Sequence, residues 1–374
     1  MQNLSLSQAQ KLCLSSQKLS CGSLTPQEII EHLGYVQIDT ISVVERAHHH
    51  VFWSRCNKYK SANLGELVKS RKVFEYWSHA ASYLPMNEYR YTLPMKRDFK
   101  TSKSSWFPRD EKVMTSVLER IKTEGPLRSK DFKAAKKGNT GWWDWKPAKY
   151  ALERLFMEGE LEITRREGFQ KIYDLPERVI PSSVDTSMPS NDEYNEFLIN
   201  RTLRHHGLAS IDEIGYLKKK EQKDKIKNRL NQLVENGTVT HVSIKGIAQN
   251  YFALTEILET EAKTNSKIHI LSPFDNLVIQ RKKLNTLFNY NYQIECYVPA
   301  VKRKYGYFSL PIFKGHAPIA RVDCKADREN KQLIINSLHY EKGVKKEAVE
   351  RRIETKLKQF SRFNGCEFNN LYQQ

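Results

Sequence analysis

Apolar residues recur at helical spacing near the start of the chain and give way to short alternating runs towards its end. Residues 4–33 read as helix, polar connection, helix. The second of these helices carries its own start signal: Thr25 suits the N-cap, Pro26 the first helical position, and Glu28, three residues past the cap, completes a capping box. Leu33-Gly34 closes it, Tyr35-Val36-Gln37-Ile38-Asp39 is a short extended stretch, and 43–55 is mostly helical. Further on, Leu127-Arg128-Ser129-Lys130-Asp131-Phe132 starts a helix, and 147–158 places Leu152, Leu155 and Phe156 on one face of another. Residues 160–166 and 170–175 are strand-like and flank Glu167-Gly168-Phe169, which suits a tight turn.

The same order then returns. Residues 192–206 are amphipathic, Leu208-Ala209-Ser210-Ile211-Asp212-Glu213-Ile214 echoes the stretch from Leu127, 223–235 is a long helix, and 238–244 with 250–254 make a second hairpin. Asn236-Gly237 parallels Glu158-Gly159, where glycine can take the left-handed end of a helix. Helix, helix, two-stranded wing is the order of a winged helix, a variant of the helix-turn-helix. Two such units are expected, and the N-terminal segment could be a third, less regular copy. Residues 179–191, rich in Pro and Ser, read as a linker. Beyond Lys267 the runs Ile268-His269-Ile270-Leu271, Glu295-Cys296-Tyr297-Val298, 306–312, Ile319-Ala320-Arg321-Val322 and Gln332-Leu333-Ile334-Ile335 predict a small sheet or barrel, closed by a helix over 344–364.

Composition narrows the partners. Hydrophobic residues make up 39% of the 374-residue chain, enough for a packed core beside 28% charged residues. The formal net charge of +18 attracts polyanions, so DNA, RNA or an anionic surface are the natural partners. No apolar run of about 18 residues could span a bilayer, and the polar first ten residues lack the pattern of a secretion signal, so a cytoplasmic, nucleoid-associated protein is expected. The six cysteines form no C-x-x-C pair and read as free thiols. The eleven histidines never take zinc spacing with a cysteine, and neither metal nor cofactor is expected.

Three constellations could carry chemistry. In an extended segment, residues two apart project from one face, so Gln37 and Asp39 place an amide beside a carboxylate, a pair able to orient a water and accept its proton. Asp39 equally suits the N-cap of a helix beginning at Thr40. Basic residues interleave with aromatics at Lys133, Lys136, Lys137, Trp142, Trp143, Trp145, Lys146 and Lys149, and again at Lys302-Arg303-Lys304-Tyr305-Gly306-Tyr307; such cations suit DNA phosphates. Lys314-Gly315-His316-Ala317-Pro318 is a tight turn whose proline and imidazole could enter a DNA groove, or form an ordinary surface hairpin.

Gln37-Ile38-Asp39, the stretch from Phe74 to Pro85, Ser272-Pro273-Phe274-Asp275-Asn276-Leu277 and the stretch from Tyr297 to Tyr307 together resemble the winged-helix DNA glycosylases of the AlkZ/YcaQ type, in the right order over nearly the whole chain. The resemblance implies an α+β, C-shaped molecule of tandem winged helices followed by a small C-terminal β-barrel. It implies catalysis by Gln37 and Asp39 in the Gln-x-Asp form of the YcaQ-like branch, and DNA contact by His316, Ala317 and Pro318. The expected segments are 1–120 with the catalytic motif, winged helices at 121–178 and 192–258, and a barrel-like region at 266–374. The expected activity is monofunctional hydrolysis of the glycosidic bond of N7-alkylated purines and unhooking of interstrand crosslinks in duplex DNA, by a monomer, with Lys302, Arg303 and Lys304 on the DNA. A non-catalytic winged-helix regulator is the alternative, since fold alone does not choose.

Overall fold

The computed structural model describes residues 1–19, 22–101, 107–132, 145–260, 262 and 266–368. The chain divides into two compact units, one of 1–61 with 195–374 and one of 62–194.

The first unit opens with β1 (Gln2–Leu4), α1 (Leu6–Ser16), α2 (Pro26–Leu33), β2 (Val36–Gln37) and α3 (Ala47–Trp53). α2 starts as its sequence dictates: Thr25 Oγ1 accepts the Glu28 N–H, while the Glu28 carboxylate accepts the Thr25 N–H at 2.7 Å. It stops at Gly34, whose φ of 75° is left-handed and where a Cβ would collide with the Arg201 side chain, so only glycine turns the chain into β2 here. No helix begins at Thr40. Residues 38–46 carry no regular element, so the N-cap reading of Asp39 does not hold, and only 47–53 of the helix expected over 43–55 forms.

The second unit contains α4 (Ser61–Lys69), the antiparallel hairpin β3 (Val73–Trp77) and β4 (Ala81–Pro85), then α5 (Leu93–Thr101), α6 (Glu111–Glu124), β5 (Leu127–Arg128), α7 (Trp145–Glu158), β6 (Glu162–Glu167), β7 (Gln170–Asp174) and α8 (Pro176–Val179). The hairpin expected around Gly168 is present, with Glu167 opposite Gln170 and β5 added in the order β5-β7-β6. The helix expected from Leu127 is instead β5 followed by a single 3₁₀ turn, because the Asp131 carboxylate reaches back to accept the Arg128 N–H at 2.8 Å. A buried Lys96–Glu162 ion pair, with Lys96 Nζ 4.2 Å from the Tyr89 ring centroid, and the bidentate Arg166–Glu75 pair at 2.7 Å cross-brace this unit. The cluster at Lys133, Lys136, Lys137, Trp142 and Trp143 lies outside the described residues, as do the side chains of Trp145 and Lys146.

The chain returns to the first unit along α9 (Asn191–His206), followed by α10 (Ile211–Ile214), α11 (Lys220–Glu235), β8 (Val239–Ile244), β9 (Ile247–Leu254), α12 (Thr255–Glu259), β10 (Ile268–Ile270), α13 (Arg281–Phe288), β11 (Ser309–Lys314), β12 (Ala317–Asp327), β13 (Gln332–Tyr340) and α14 (Glu350–Phe363). The internal repeat extends to pairing: Arg128 sits opposite Ile172, and its echo Ala209 opposite Phe252. β1 adds in parallel to β8, so the chain's first residues complete this sheet.

β10 to β13 form an open four-stranded antiparallel sheet among the described residues, where a barrel was expected. α14 covers that sheet, burying Ile353, Leu357 and Phe360 in one core with Leu310, Ile312, Val322 and Ile335. The run Glu295-Cys296-Tyr297-Val298 forms no strand but a turn, Val298 N–H donating to the Glu295 carbonyl at 2.9 Å, while the buried Glu295 carboxylate accepts the N–H groups of Lys304, Tyr305 and Gly306 further along the loop.

Candidate active site

Asp39 lies just past β2, and the segment before it is fixed from behind. The amide of Asn276 donates to the Tyr35 carbonyl at 3.2 Å, and the Tyr35 ring meets His205 edge-on at 6.0 Å. Asp275, the chain neighbour of Asn276, is fully buried and forms a two-pronged ion pair with Arg55 at 2.7 and 2.9 Å. Arg55 also donates from Nε to the Gln17 carbonyl and from Nη2 to Gln17 Oε1. A buried pair with every prong satisfied is costly to break: removing one partner strands a charge at about 3–5 kcal/mol. Ser272-Pro273-Phe274-Asp275-Asn276-Leu277 is therefore the buttress of the segment that carries Gln37 and Asp39.

Gln37 is buried, at 8% exposure, and Asp39 is half-buried. Asp39 Oδ1 accepts the Ile41 N–H at 2.7 Å, closing a local turn. Among the described residues no lysine or arginine pairs with this carboxylate. Burial raises its pKa above the usual carboxylate value, and the Ile41 hydrogen bond only partly opposes this. A desolvated carboxylate without a counter-charge is stabilised when positive charge arrives beside it, and it is a better proton acceptor than a solvated one.

The negative charge of Asp39 is felt on one loop in particular. Burial first and then Asp39 push the Cys296 thiol up, and burial, Cys296 and Asp39 together raise the Tyr297 phenol. Both residues therefore lie within electrostatic reach of the carboxylate, and Cys296 packs on the same core as Ile41, a neighbourhood that sequence spacing gives no sign of. The loop from Glu295 to Tyr307 also carries the three expected DNA-binding cations. Lys302 and Lys304 are exposed; Arg303 donates from Nε to the Val298 carbonyl at 2.9 Å and lies 4.9 Å over the Tyr307 ring.

His316 and Gly315, with φ 58°, form the turn between β11 and β12, with Lys314 opposite Ala317 and Phe313 opposite Pro318. Ala317 is exposed and His316 half-buried; burial and the charge of Lys11 lower the His316 pKa. The hairpin tip and the Lys302–Lys304 loop lie at opposite ends of β11, six residues long, so about 20 Å separates them. Among the described residues no group of three His, Cys, Asp or Glu side chains is arranged to hold a metal ion, and no helix is long and apolar enough to cross a membrane.

Comparison with known proteins completes the picture. The solved structure of the Streptomyces sahachiroi DNA glycosylase AlkZ superposes with a TM-score of 0.67, covering 99% of this chain and 100% of that one at 17% identity, a likeness of fold. The family model described as DNA glycosylase AlkZ-like matches residues 30–363, a span that holds Gln37, Asp39, the Asp275 buttress and the loop before β11. On that match the regulator alternative falls away, and the chain belongs to the AlkZ-like family of DNA glycosylases.

Proposed function

We propose that this glycosylase hydrolyses the N-glycosidic bond of N7-alkylated purines in duplex DNA and unhooks interstrand crosslinks, with Asp39 and Gln37 at the reaction centre. The observation that carries the reading is the half-buried Asp39 carboxylate, with its pKa raised and no cation paired to it among the described residues. An N7-alkylated guanine is already a cation, so its departure needs no general acid: the C1′–N9 bond breaks with its electron pair going to the base, which leaves neutral. Asp39 stabilises the positive charge that develops on the sugar and takes a proton from the water whose oxygen bonds to C1′. Gln37 orients that water. The product is an abasic site, and no lysine adjoins the motif to form a Schiff base. The two helix-and-hairpin repeats act as tandem winged helices on the duplex, with Lys302, Arg303 and Lys304 and the tip His316-Ala317-Pro318 as further DNA contacts, and one chain suffices. A base tethered to the opposite strand cannot be flipped into a closed pocket, so a carboxylate that is only half-buried suits crosslinks.

The test is single-turnover release of 7-methylguanine from a defined duplex. Asp39→Asn and Gln37→Ala should lose at least ~10²-fold in rate with DNA affinity kept. Unchanged rates in both would remove these residues from the chemistry.

A further inference from the structure

Of the large hydrophobic side chains exposed among the described residues, three fall within the one loop from Glu295 to Tyr307: Tyr297 at 77% exposure, Val301 at 94% and Tyr307 at 41%. Apolar side chains scattered singly over a surface need no explanation, but a cluster rimmed by cations does, and here the rim is Lys302, Arg303 and Lys304. The loop does not yield to hide them. Three of its backbone N–H groups are held by Glu295, the Tyr305 carbonyl accepts from Ser337 Oγ at 3.1 Å, and Phe308 N–H donates to Asp323 at 2.8 Å. Gly306, with φ 120°, packs so closely on Asp323 that a Cβ would collide with its side chain. A pre-ordered loop presents these rings and the valine to solvent at no further ordering cost on binding.

We propose that this ridge is a stacking platform for DNA at the lesion, with Tyr297 as the positioning residue that packs its ring against the damaged nucleotide while Val301 meets the neighbouring base stack. The inference rests on the glycosylase reading given above and deepens it. Charge selects the partner: an apolar ridge flanked by three cations fits a phosphate-bearing polymer with stackable bases, not a lipid-free apolar protein face. Position selects the role. Cys296, the chain neighbour of Tyr297, packs on the same apolar core as Ile41, whose N–H the Asp39 carboxylate accepts. A nucleotide at that carboxylate therefore has this loop beside it, and the charge of Asp39 reaches the Tyr297 phenol. An electron-rich ring also favours a cationic alkylpurine over a neutral base.

The experiment uses the full chain and a duplex carrying 7-methylguanine with 2-aminopurine as its neighbour. In an Asp39→Asn background, binding should change the 2-aminopurine fluorescence, and Tyr297→Ala should abolish that change while Tyr297→Phe keeps it. In the otherwise unaltered protein, Tyr297→Ala should slow excision ~10- to 100-fold, the range expected for one base–aromatic stack, and Tyr297→Phe should restore it to within ~3-fold. Val301→Glu should weaken duplex binding ~10-fold, since it sets an anion against the phosphates. Excision and fluorescence in Tyr297→Ala that match the parent overturn the proposal. Equal losses in the Phe and Ala variants overturn it too, by placing the effect on the hydroxyl. Read at the first moments of mixing, before any base is released, the fluorescence stays legible even where Asp39→Asn still excises, so a failed catalytic role for Asp39 and a failed platform give different results. Tyr297 is so exposed that thermal melting of its variants should match the parent.

Discussion

Asp39 combines two conditions that seldom coexist in a surface carboxylate: partial desolvation and the lack of a paired cation among the described residues. Desolvation raises its pKa, so the ionised form needed to hold a sugar cation and accept a water proton is lost sooner on acidification than for an ordinary aspartate. The excision rate should therefore fall as pH drops through a single apparent pKa above 3.8, the usual aspartate value. The limb should be absent from the residual rate of Asp39→Asn. A pH profile from 4 to 8 on 7-methylguanine duplex checks this, and a flat profile in the parent would show that the group is not titrating in the rate-limiting step. The same shift makes the folded carboxylate slightly unfavourable, a local cost that the Arg55–Asp275 pair behind it must outlast. Folding brings Cys296 and Arg55 to the site, and Tyr297, seen in the sequence only as the start of a motif stretch, with them. Cys296 and Tyr297 lie far along the chain from Asp39, Arg55 acts through the distant Asp275, and no periodicity connects them; resemblance brought Gln37 and Asp39 into view, while the chain's chemistry alone left Asp39 open to a capping role.

Elements defined by their own residues are legible in the sequence, and elements defined by distant partners are not. Thr25, Pro26 and Glu28 specify the start of α2 within four residues, and Gly168 specifies the β6–β7 turn, because both devices close on neighbouring backbone. The strand expected at Glu295–Val298 fails because the run closes into a turn, Val298 N–H donating to the Glu295 carbonyl at 2.9 Å, and the expected barrel stays an open sheet because α14 fills the remaining face. α14 also carries a testable defect. Lys356 lies half-buried with Nζ 4.2 Å from the Trp53 ring, in a cleft of about 730 Å³ that also holds Lys267, Arg352 and Arg362; burial and Lys267 lower its pKa to about 8. Below pH 8 the ammonium is charged in both the folded and unfolded chain, and the folded state bears the whole penalty. Between 8 and 10.5 the folded state sheds the proton first, and above 10.5 neither state is charged, so the penalty vanishes. Lys356→Met should accordingly be more stable than the parent at pH 7, by up to about 3 kcal/mol. That gap should close as pH rises through this window in paired thermal melts. A gap that persists to pH 10.5 would mean that packing, not charge, is responsible.

At the scale of the molecule, an excess of 18 positive charges favours a polyanion, which the family match makes DNA, and the placement of those charges decides which contacts depend on salt. Each lysine that neutralises a phosphate releases counterions, so its removal lowers the slope of log affinity against log salt by about 0.9. Lys302→Ala and Lys304→Ala should each do this, because both are exposed on the ridge loop. His316 stands at the far end of β11, and its pKa is lowered by half-burial and by Lys11, so the DNA contact proposed for it at pH 7 is that of a neutral imidazole. His316→Ala should therefore weaken binding by the same factor at every salt concentration, leaving the slope unchanged. Anisotropy titrations of a fluorescent duplex from 50 to 200 mM KCl separate the two kinds of contact. A reduced slope in His316→Ala would show that the imidazole is protonated on DNA. Unchanged slopes in both lysine variants would take that end of β11 off the duplex, and the platform at Tyr297 with it.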